Sequence, residues 1–167
     1  MHWQIKWVQK YAYQLVEQHD WMRPLRGDWL ARLDDVVTDL NGPVYLVAHS
    51  LGCIHVAAWA SISKQAHKVK AALLVAPGDV EAQPLKDVFS SWRPICLQPL
   101  PFKSILLSSQ NDPHCTIERA QFFAKSWGSD WINMGSKGHL NADSLLGDWS
   151  EGHNFLNQLM KVDEHGH

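Results

Sequence analysis

The chain alternates between segments whose apolar residues recur at helical spacing and short runs that are apolar throughout. Residues 3–11 and 29–40 carry apolar side chains every three or four positions, which predicts two amphipathic helices. Asp28 is a candidate N-cap for the second helix, and Asn41-Gly42-Pro43 supplies its stop signal. A β-like stretch is expected between the two helices, at residues 14–18.

Four apolar runs of strand length follow. Helical patterns occur after the first and third of these runs and again near the end of the sequence. The strands are predicted at residues 44–47, 71–76, 104–108 and 130–134, and the helices at residues 53–62, 116–127 and 151–161. Strands that alternate with helices favour a mostly parallel sheet covered on both faces, so the fold class is α/β, a three-layer α/β/α sandwich. One domain over residues 1–167 is expected, with the proline-containing residues 77–101 as a pocket-lining loop or small cap.

Ser50 lies where the first of these strands meets the following helix. The residues two before and two after it, Ala48 and Gly52, are small, and His49 completes the sequence between strand and serine. A serine hydroxyl becomes a useful nucleophile when a strained strand-turn-helix elbow presents it to a base, and such a turn leaves room only for small neighbours. Alanine replaces the more usual glycine at the first small position. The pattern predicts a nucleophile elbow.

A serine nucleophile needs a histidine base and an acid that orients it, and both belong on loops that leave the carboxyl ends of strands. His139 follows the strand at 130–134 within a glycine-rich turn, and Asp112 follows the strand at 104–108 within a polar turn. Asp79, after the strand at 71–76, is the alternative acid. The backbone N–H of Leu51, at the start of the helix, is the expected oxyanion donor.

The other histidines that follow Ser50 fit the base role less well. His114 shares a loop with Asp112 and is expected to point beside it, and His153 lies at the start of the last helix. His165 and His167 belong to a polar tail. His139 is therefore the predicted base.

Composition narrows the classes of function. The 167 residues are 46% hydrophobic and 19% charged, with a net charge of −2, so neither nucleic acid nor an anionic membrane is an expected partner. Three widely spaced cysteines predict no disulfide framework and no zinc site, and no secretory leader is expected, which favours a cytoplasmic setting. No glycine-rich phosphate loop occurs, so no nucleotide cofactor is expected. His165-Gly166-His167 is interpreted as a polar tail and not as a metal site, so no metal is expected either.

Taken together, the motifs resemble those of the small serine hydrolases of the retinoblastoma-binding protein 9 and YdeN type, within the α/β-hydrolase superfamily. The segments that carry the resemblance are Ala48-His49-Ser50-Leu51-Gly52, Ser109-Gln110-Asn111-Asp112-Pro113, Gly138-His139-Leu140-Asn141, His2-Trp3-Gln4, Asp20-Trp21 with Pro24, Asp28-Trp29 and Gly147-Asp148-Trp149. The resemblance covers nearly the whole chain from residue 2 and implies the triad Ser50, Asp112 and His139.

The resemblance also implies a strand and a Pro-Gly-rich loop ahead of the His2-Trp3-Gln4 segment, whereas this chain begins at Met1. That strand would lie next to the nucleophile strand, and its loop would carry the second oxyanion donor. Its place could be taken by another segment or by a second protomer, which would make the protein a homo-oligomer.

Two functions compete. The first is hydrolysis of a small-molecule acyl ester or amide through an acyl-enzyme, with Phe89 and Trp92 in the acyl pocket. The second is an interaction protein on a hydrolase scaffold with weak chemistry, for which exposed tryptophans would serve as anchors. Against the second, the spacing of Trp3, Trp7, Trp29, Trp127 and Trp149 predicts that they pack between helices and sheet.

Overall fold

The structure is a computed structural model that describes residues 1–18, 20–83 and 85–164, with side chains as far as Lys161. Pro84 in the proline-containing segment and the tail residues His165 and His167 lie outside the described residues. The helices are α1 (Trp3–Tyr11), α2 (Arg26–Asp39), α3 (Leu51–Ile62), α4 (Ile117–Trp127) and α5 (Ser150–Glu164). The strands are β1 (Val44–His49), β2 (Val69–Val75), β3 (Lys103–Ser108) and β4 (Asp130–Asn133).

The four strands form one parallel sheet in the order β1-β2-β3-β4. Its alternate side chains enter two different cores. Ala71, Leu73 and Val75 of β2 pack with α1 and α5, while Ala72 and Leu74 pack with α2, α3 and α4. Helices therefore cover both faces, and the predicted three-layer α/β/α sandwich with a parallel sheet is confirmed.

The tryptophans supply much of the packing between the helices and the sheet. Trp3 and Trp7 of α1 are almost fully buried against Trp149, and their indole N–H groups donate to the carbonyls of Leu140 and Asp148, each at 2.7 Å. Trp29 and Trp127 are likewise buried on the opposite face. The prediction that these five tryptophans are structural is confirmed.

Two predicted local features are wrong. Helix α2 begins at Arg26 with Leu25 as its N-cap, so Asp28 lies in the first turn and does not cap the helix. A carboxylate in the first turn still stabilises the helix, because it lies near the positive end of the helix dipole. Residues 14–18 form no strand, although their alternating apolar residues suggested one. A strand requires a hydrogen-bonded neighbour, and no main-chain partner for this segment occurs in the described part of the chain.

The ends of the other helices and strands differ from the predicted ends by at most three residues. Helix caps and the register with the neighbouring strand determine where these elements end. Thr116, predicted as the first residue of α4, is its N-cap and accepts from the N–H of Arg119. None of the helices in the described residues combines the length and apolar content that crossing a bilayer requires.

His55 joins two helices on one face of the sheet and makes the fold sensitive to acid. It is buried in α3, and its Nε2–H donates to the carbonyl of Trp29 in α2 at 2.7 Å. Burial lowers the pKa of His55 to about 4, whereas the unfolded chain keeps a value near 6.5.

We expect the free energy of unfolding to be highest above pH 6.5 and to fall as the pH drops from 6.5 to 4. In that window the unfolded chain binds the His55 proton and the folded chain does not, so stability rises with pH there. Over this pH range the difference between the two His55 pKa values lowers the free energy of unfolding by on the order of 3 kcal/mol. Urea unfolding of the wild-type protein and of His55→Gln at several pH values measures it. An equally steep pH dependence in the variant would show that another group is responsible.

Candidate active site

The turn after β1 holds Ser50 in a backbone conformation that a side-chain-bearing residue rarely adopts. Its φ is 58° and its ψ is −120°. Its N–H donates to the carbonyl of Val75 in β2 at 3.0 Å, and α3 begins at the next residue. A β-carbon on Gly52 would lie 3.4 Å from the Ala48 β-carbon, so larger side chains at the two positions would collide. Ala48, His49, Ser50 and Gly52 therefore form the sharp strand-turn-helix connection that the sequence suggests.

The structure brings together the three side chains that the sequence selected. His139 Nε2 lies 2.8 Å from Ser50 Oγ, and His139 Nδ1 lies 2.9 Å from each carboxylate oxygen of Asp112. Both the imidazole and the carboxylate are almost completely buried. Because Asp112 accepts from Nδ1–H, the tautomer leaves Nε2 free to accept the serine proton.

The loops that carry Asp112 and His139 are tied to each other by a second set of hydrogen bonds. Asn111 Oδ1 accepts from the N–H of Gly138 at 2.8 Å, and Ser109 Oγ accepts from the N–H of Lys137 at 2.9 Å. The N–H of Gln110 donates to the carbonyl of Gly135 at 2.8 Å. The two loops leave adjacent parallel strands, β3 and β4, so these bonds fix the distance between Asp112 and His139.

His49 supports His139 from the side of β1. Its Nε2 lies 2.9 Å from the His139 carbonyl oxygen, which can only accept, so His49 is the donor. Burial lowers the pKa of His49 to about 3, which keeps this imidazole neutral near pH 7. The ring of His2, at the start of α1, lies 4.7 Å from the His49 ring and completes a small histidine cluster. Sequence analysis placed His49 in the elbow without this role.

Asp79, the alternative acid, lies in a different interaction. It is buried, and Arg119 of α4 binds it with Nε at 2.9 Å from Oδ2 and Nη2 at 3.3 Å from Oδ1. Its Oδ1 also accepts from the N–H of Glu81. This ion pair ties the loop after β2 to α4. His114, one of the histidines considered as a base, packs edge-on against the His139 ring with the ring centres 4.6 Å apart, and it forms no hydrogen bond with Ser50 in the described part of the chain.

Gly78 is a residue that sequence analysis missed as part of this site. A β-carbon at its position would lie 3.1 Å from Ser50 Oγ and 3.6 Å from the Leu51 nitrogen. Glycine here leaves the serine hydroxyl accessible. Leu51 is the first residue of α3, so its N–H is one of those that no carbonyl within the helix can accept. A glycine in the turn that follows a strand, beside the candidate acid Asp79, was the signal available in the sequence.

A cavity of about 490 Å³ adjoins Ser50 and extends along β1. Neither Phe89 nor Trp92, the predicted pocket residues, is among the residues that line it. Trp92 is buried against Trp29 and His55, and its indole N–H donates to the carbonyl of Pro24 at 2.6 Å. Phe89 packs against the same core. Their apolar character reflects core packing, which a sequence pattern cannot distinguish from a pocket wall.

Cys53 and Cys115 offer no competing nucleophile. All three are free thiols, and burial raises the pKa of Cys53 well above its usual range and that of Cys115 to about 12. Both thiols are therefore protonated near neutral pH and unreactive. Among the described residues, no group of three or more His, Cys, Asp or Glu side chains could hold a metal ion.

Comparison with known proteins identifies the family and the fold. The profile of the serine hydrolase family matches residues 1–158. A YdeN-like hydrolase from Pectobacterium atrosepticum superposes with a TM-score of 0.84 at 25% identity, over 96% of this chain and 83% of that one. The ydeN gene product of B. subtilis superposes with a TM-score of 0.77 at 16% identity, over 96% and 91%.

A more distant structure shares the fold alone. The mouse alpha/beta hydrolase domain-containing protein 10 has a TM-score of 0.62 at 16% identity, over 87% of this chain and 72% of that one. No curated protein sequence matches the chain. Since the family profile covers nearly the whole sequence, the chain belongs to the serine hydrolase family, with a YdeN-type α/β-hydrolase fold.

Proposed function

We propose that this protein hydrolyses small acyl esters or amides through an acyl-enzyme, with Ser50 as nucleophile, His139 as general base and acid, and Asp112 as the group that orients His139. The observation that carries the proposal is the continuous hydrogen-bonded chain from Ser50 Oγ through the His139 ring to the Asp112 carboxylate. All of its contacts are 2.8 or 2.9 Å, within the reach that proton transfer requires.

The geometry gives each group a defined step. Ser50 Oγ forms a bond to the acyl carbon while His139 Nε2 takes the hydroxyl proton, and Asp112 stabilises the imidazolium that results. His139 then returns the proton to the leaving alcohol or amine as the tetrahedral intermediate collapses. Water, deprotonated by the same nitrogen, attacks the acyl-serine. The bond between the acyl carbon and Ser50 Oγ then breaks, His139 Nε2 returns the proton to Oγ, and the acid is released. The Leu51 N–H, at the positive end of α3, stabilises the oxyanion in both halves of the reaction.

Replacing the nucleophile tests the assignment of Ser50. We expect Ser50→Ala to lower the rate of p-nitrophenyl acetate hydrolysis by about three orders of magnitude or more and to abolish labelling by a fluorophosphonate probe. Ser61→Ala is the matched control, because Ser61 lies on the same helix α3 and its Oγ bonds only to the carbonyl of Ala58 among the described contacts. Hydrolysis that persists in Ser50→Ala at the wild-type rate would remove Ser50 from the mechanism.

A pair of matched substitutions distinguishes the two candidate acids. We expect Asp112→Asn to lower kcat by on the order of 10³-fold to 10⁴-fold, since an amide no longer fixes the His139 tautomer or stabilises its cation. Asp79→Asn should leave kcat within a few-fold and instead lower the free energy of unfolding by about 1–3 kcal/mol, because Arg119 loses its buried partner. Kinetics and urea unfolding of both variants make the comparison. The reverse pattern would identify Asp79 as the acid.

His49 should act as a positioning residue. We expect His49→Phe to lower kcat about tenfold, because the His139 main chain loses a donor while the side chains of Ser50, His139 and Asp112 are unchanged. His49→Gln, whose amide can donate to the same carbonyl, should recover most of that loss. Steady-state kinetics on p-nitrophenyl acetate measures kcat for both variants. Equal kcat in the Phe and Gln variants would show that the hydrogen bond is unimportant.

A further inference from the structure

The loop that carries His139 has a rare backbone conformation on both sides of that residue. The φ angle is 63° at Gly138 and 51° at Leu140. Glycine adopts positive φ at little cost, but leucine rarely does, because its β-carbon crowds the backbone. Leu140 is also fully buried. Such a residue keeps its conformation only where its surroundings hold it, so the contacts that hold the main chain at residues 139 and 140 also determine where the His139 ring lies.

Two side chains from other elements donate hydrogen bonds to consecutive carbonyls of this loop. The His139 carbonyl accepts from Nε2–H of His49 in β1 at 2.9 Å. The Leu140 carbonyl accepts from the indole N–H of Trp3 in α1 at 2.7 Å. The N–H of Leu140 donates to the Lys137 carbonyl at 3.4 Å, which is a longer and weaker bond. The bond from Trp3 is therefore the stronger of these two restraints on the main chain of Leu140.

Trp3 is packed too tightly to follow this loop if the loop moves. It is the first residue of α1, and only 1% of it is exposed. The centre of its ring lies 4.6 Å from that of Trp7 and 4.9 Å from that of Trp149. The ring also meets the His49 ring at 87°, with the two centres 5.9 Å apart. An indole nitrogen can only donate, so a fixed Trp3 fixes the place of the carbonyl that accepts from it.

We propose that Trp3 is a positioning residue for His139: its indole N–H holds the Leu140 carbonyl and thereby keeps His139 Nε2 directed at Ser50 Oγ. The inference rests on the proposed role of His139 as the base. The contact of 2.8 Å between Nε2 and Oγ can be only as precise as the main chain from which the His139 side chain extends. A displacement of about 1 Å in such a contact can cost on the order of 10²-fold in rate. Helix α1 thus acts on the site through Leu140 and His139.

Trp7 provides a matched control for Trp3. It lies one turn later in α1, it is 2% exposed, and its indole N–H donates to the carbonyl of Asp148 at 2.7 Å. Trp3→Phe and Trp7→Phe therefore each remove one indole–carbonyl bond of the same length from the same helix, but only the first bond is made to the residue next to His139.

We expect Trp3→Phe to lower kcat for p-nitrophenyl acetate by at least ~10-fold, whereas Trp7→Phe should leave it within about threefold of the wild-type value. Both variants should lose a similar amount of stability, which urea unfolding measures, because the lost bonds and the removed ring atoms are alike. A loss of kcat that is confined to Trp3→Phe therefore reports the position of His139 and not the stability of α1.

A double substitution tests whether Trp3 acts through His139. In Asp112→Asn the His139 tautomer is no longer fixed, so a correctly placed ring contributes little to the remaining rate. We expect Trp3→Phe to lower kcat by less than ~3-fold in that background, compared with at least ~10-fold in the wild-type protein. A residue that only stabilised the fold would lower kcat by the same factor in both.

Proton NMR gives a readout that does not require hydrolysis. The signal of the His139 Nδ1–H, which donates to Asp112, is assigned by its loss in Asp112→Asn. We expect this proton to change its chemical shift and to exchange faster with water in Trp3→Phe, and to be unchanged in Trp7→Phe. If Ser50→Ala retained wild-type hydrolysis, the proposed function would fail, while this signal would still decide whether Trp3 positions His139.

The inference is overturned if Trp3→Phe and Trp7→Phe lower kcat by the same factor, or if both leave the His139 signal unchanged. It is also overturned if the loss in Trp3→Phe is undiminished in the Asp112→Asn background, since Trp3 would then act elsewhere. Circular dichroism checks that each variant is folded. If Trp3→Phe does not fold, benzothienylalanine at position 3 repeats the same comparisons, because it keeps the shape of the indole ring and lacks only its N–H.

Discussion

The backbone conformation of Ser50 is the constraint around which the site is arranged. A non-glycine residue at positive φ costs free energy, so the turn persists only because its surroundings leave no alternative. The hydrogen bond from the Ser50 N–H to β2 fixes the start of the turn, and the close approach of Ala48 and Gly52 fixes the direction in which α3 leaves. Gly78 keeps the far side of the hydroxyl clear. The Ser50 hydroxyl is thus positioned by packing that extends from the sheet to the helix.

The parallel sheet extends this positioning to the other two groups. β1, β3 and β4 all end at the same edge, so the loops that carry Ser50, Asp112 and His139 meet there although 89 residues separate the serine from the histidine. Parallel strands alone would leave these loops free to move. The side chains of Ser109 and Asn111 restrain them by binding the main chain of the His139 loop. The precision of the site depends on those two polar residues as well as on the sheet.

Sequence patterns are sufficient to predict the elements that depend only on residues close together in the chain. The apolar run of β1 and the small residues around Ser50 predict a strand and an elbow because strand burial and steric crowding depend on nearby residues. Phe89 and Trp92 show the limit of that reasoning. An aromatic residue in a proline-containing segment can line a pocket or fill a core, and only the position of Trp29 and His55 places Trp92 in the core. The support that His49 gives to His139 similarly depends on a contact between residues 90 positions apart.

The failure of the strand prediction at residues 14–18 has a different physical origin. The residues have the alternation of a strand, and Val16 packs against the core beside α2. What is lacking is a neighbour, because strand structure is a property of a pair of segments and not of one. β1 shows the opposite outcome for an apolar run of similar length. It forms a strand because β2 lies beside it and pairs with it from Val44 to His49.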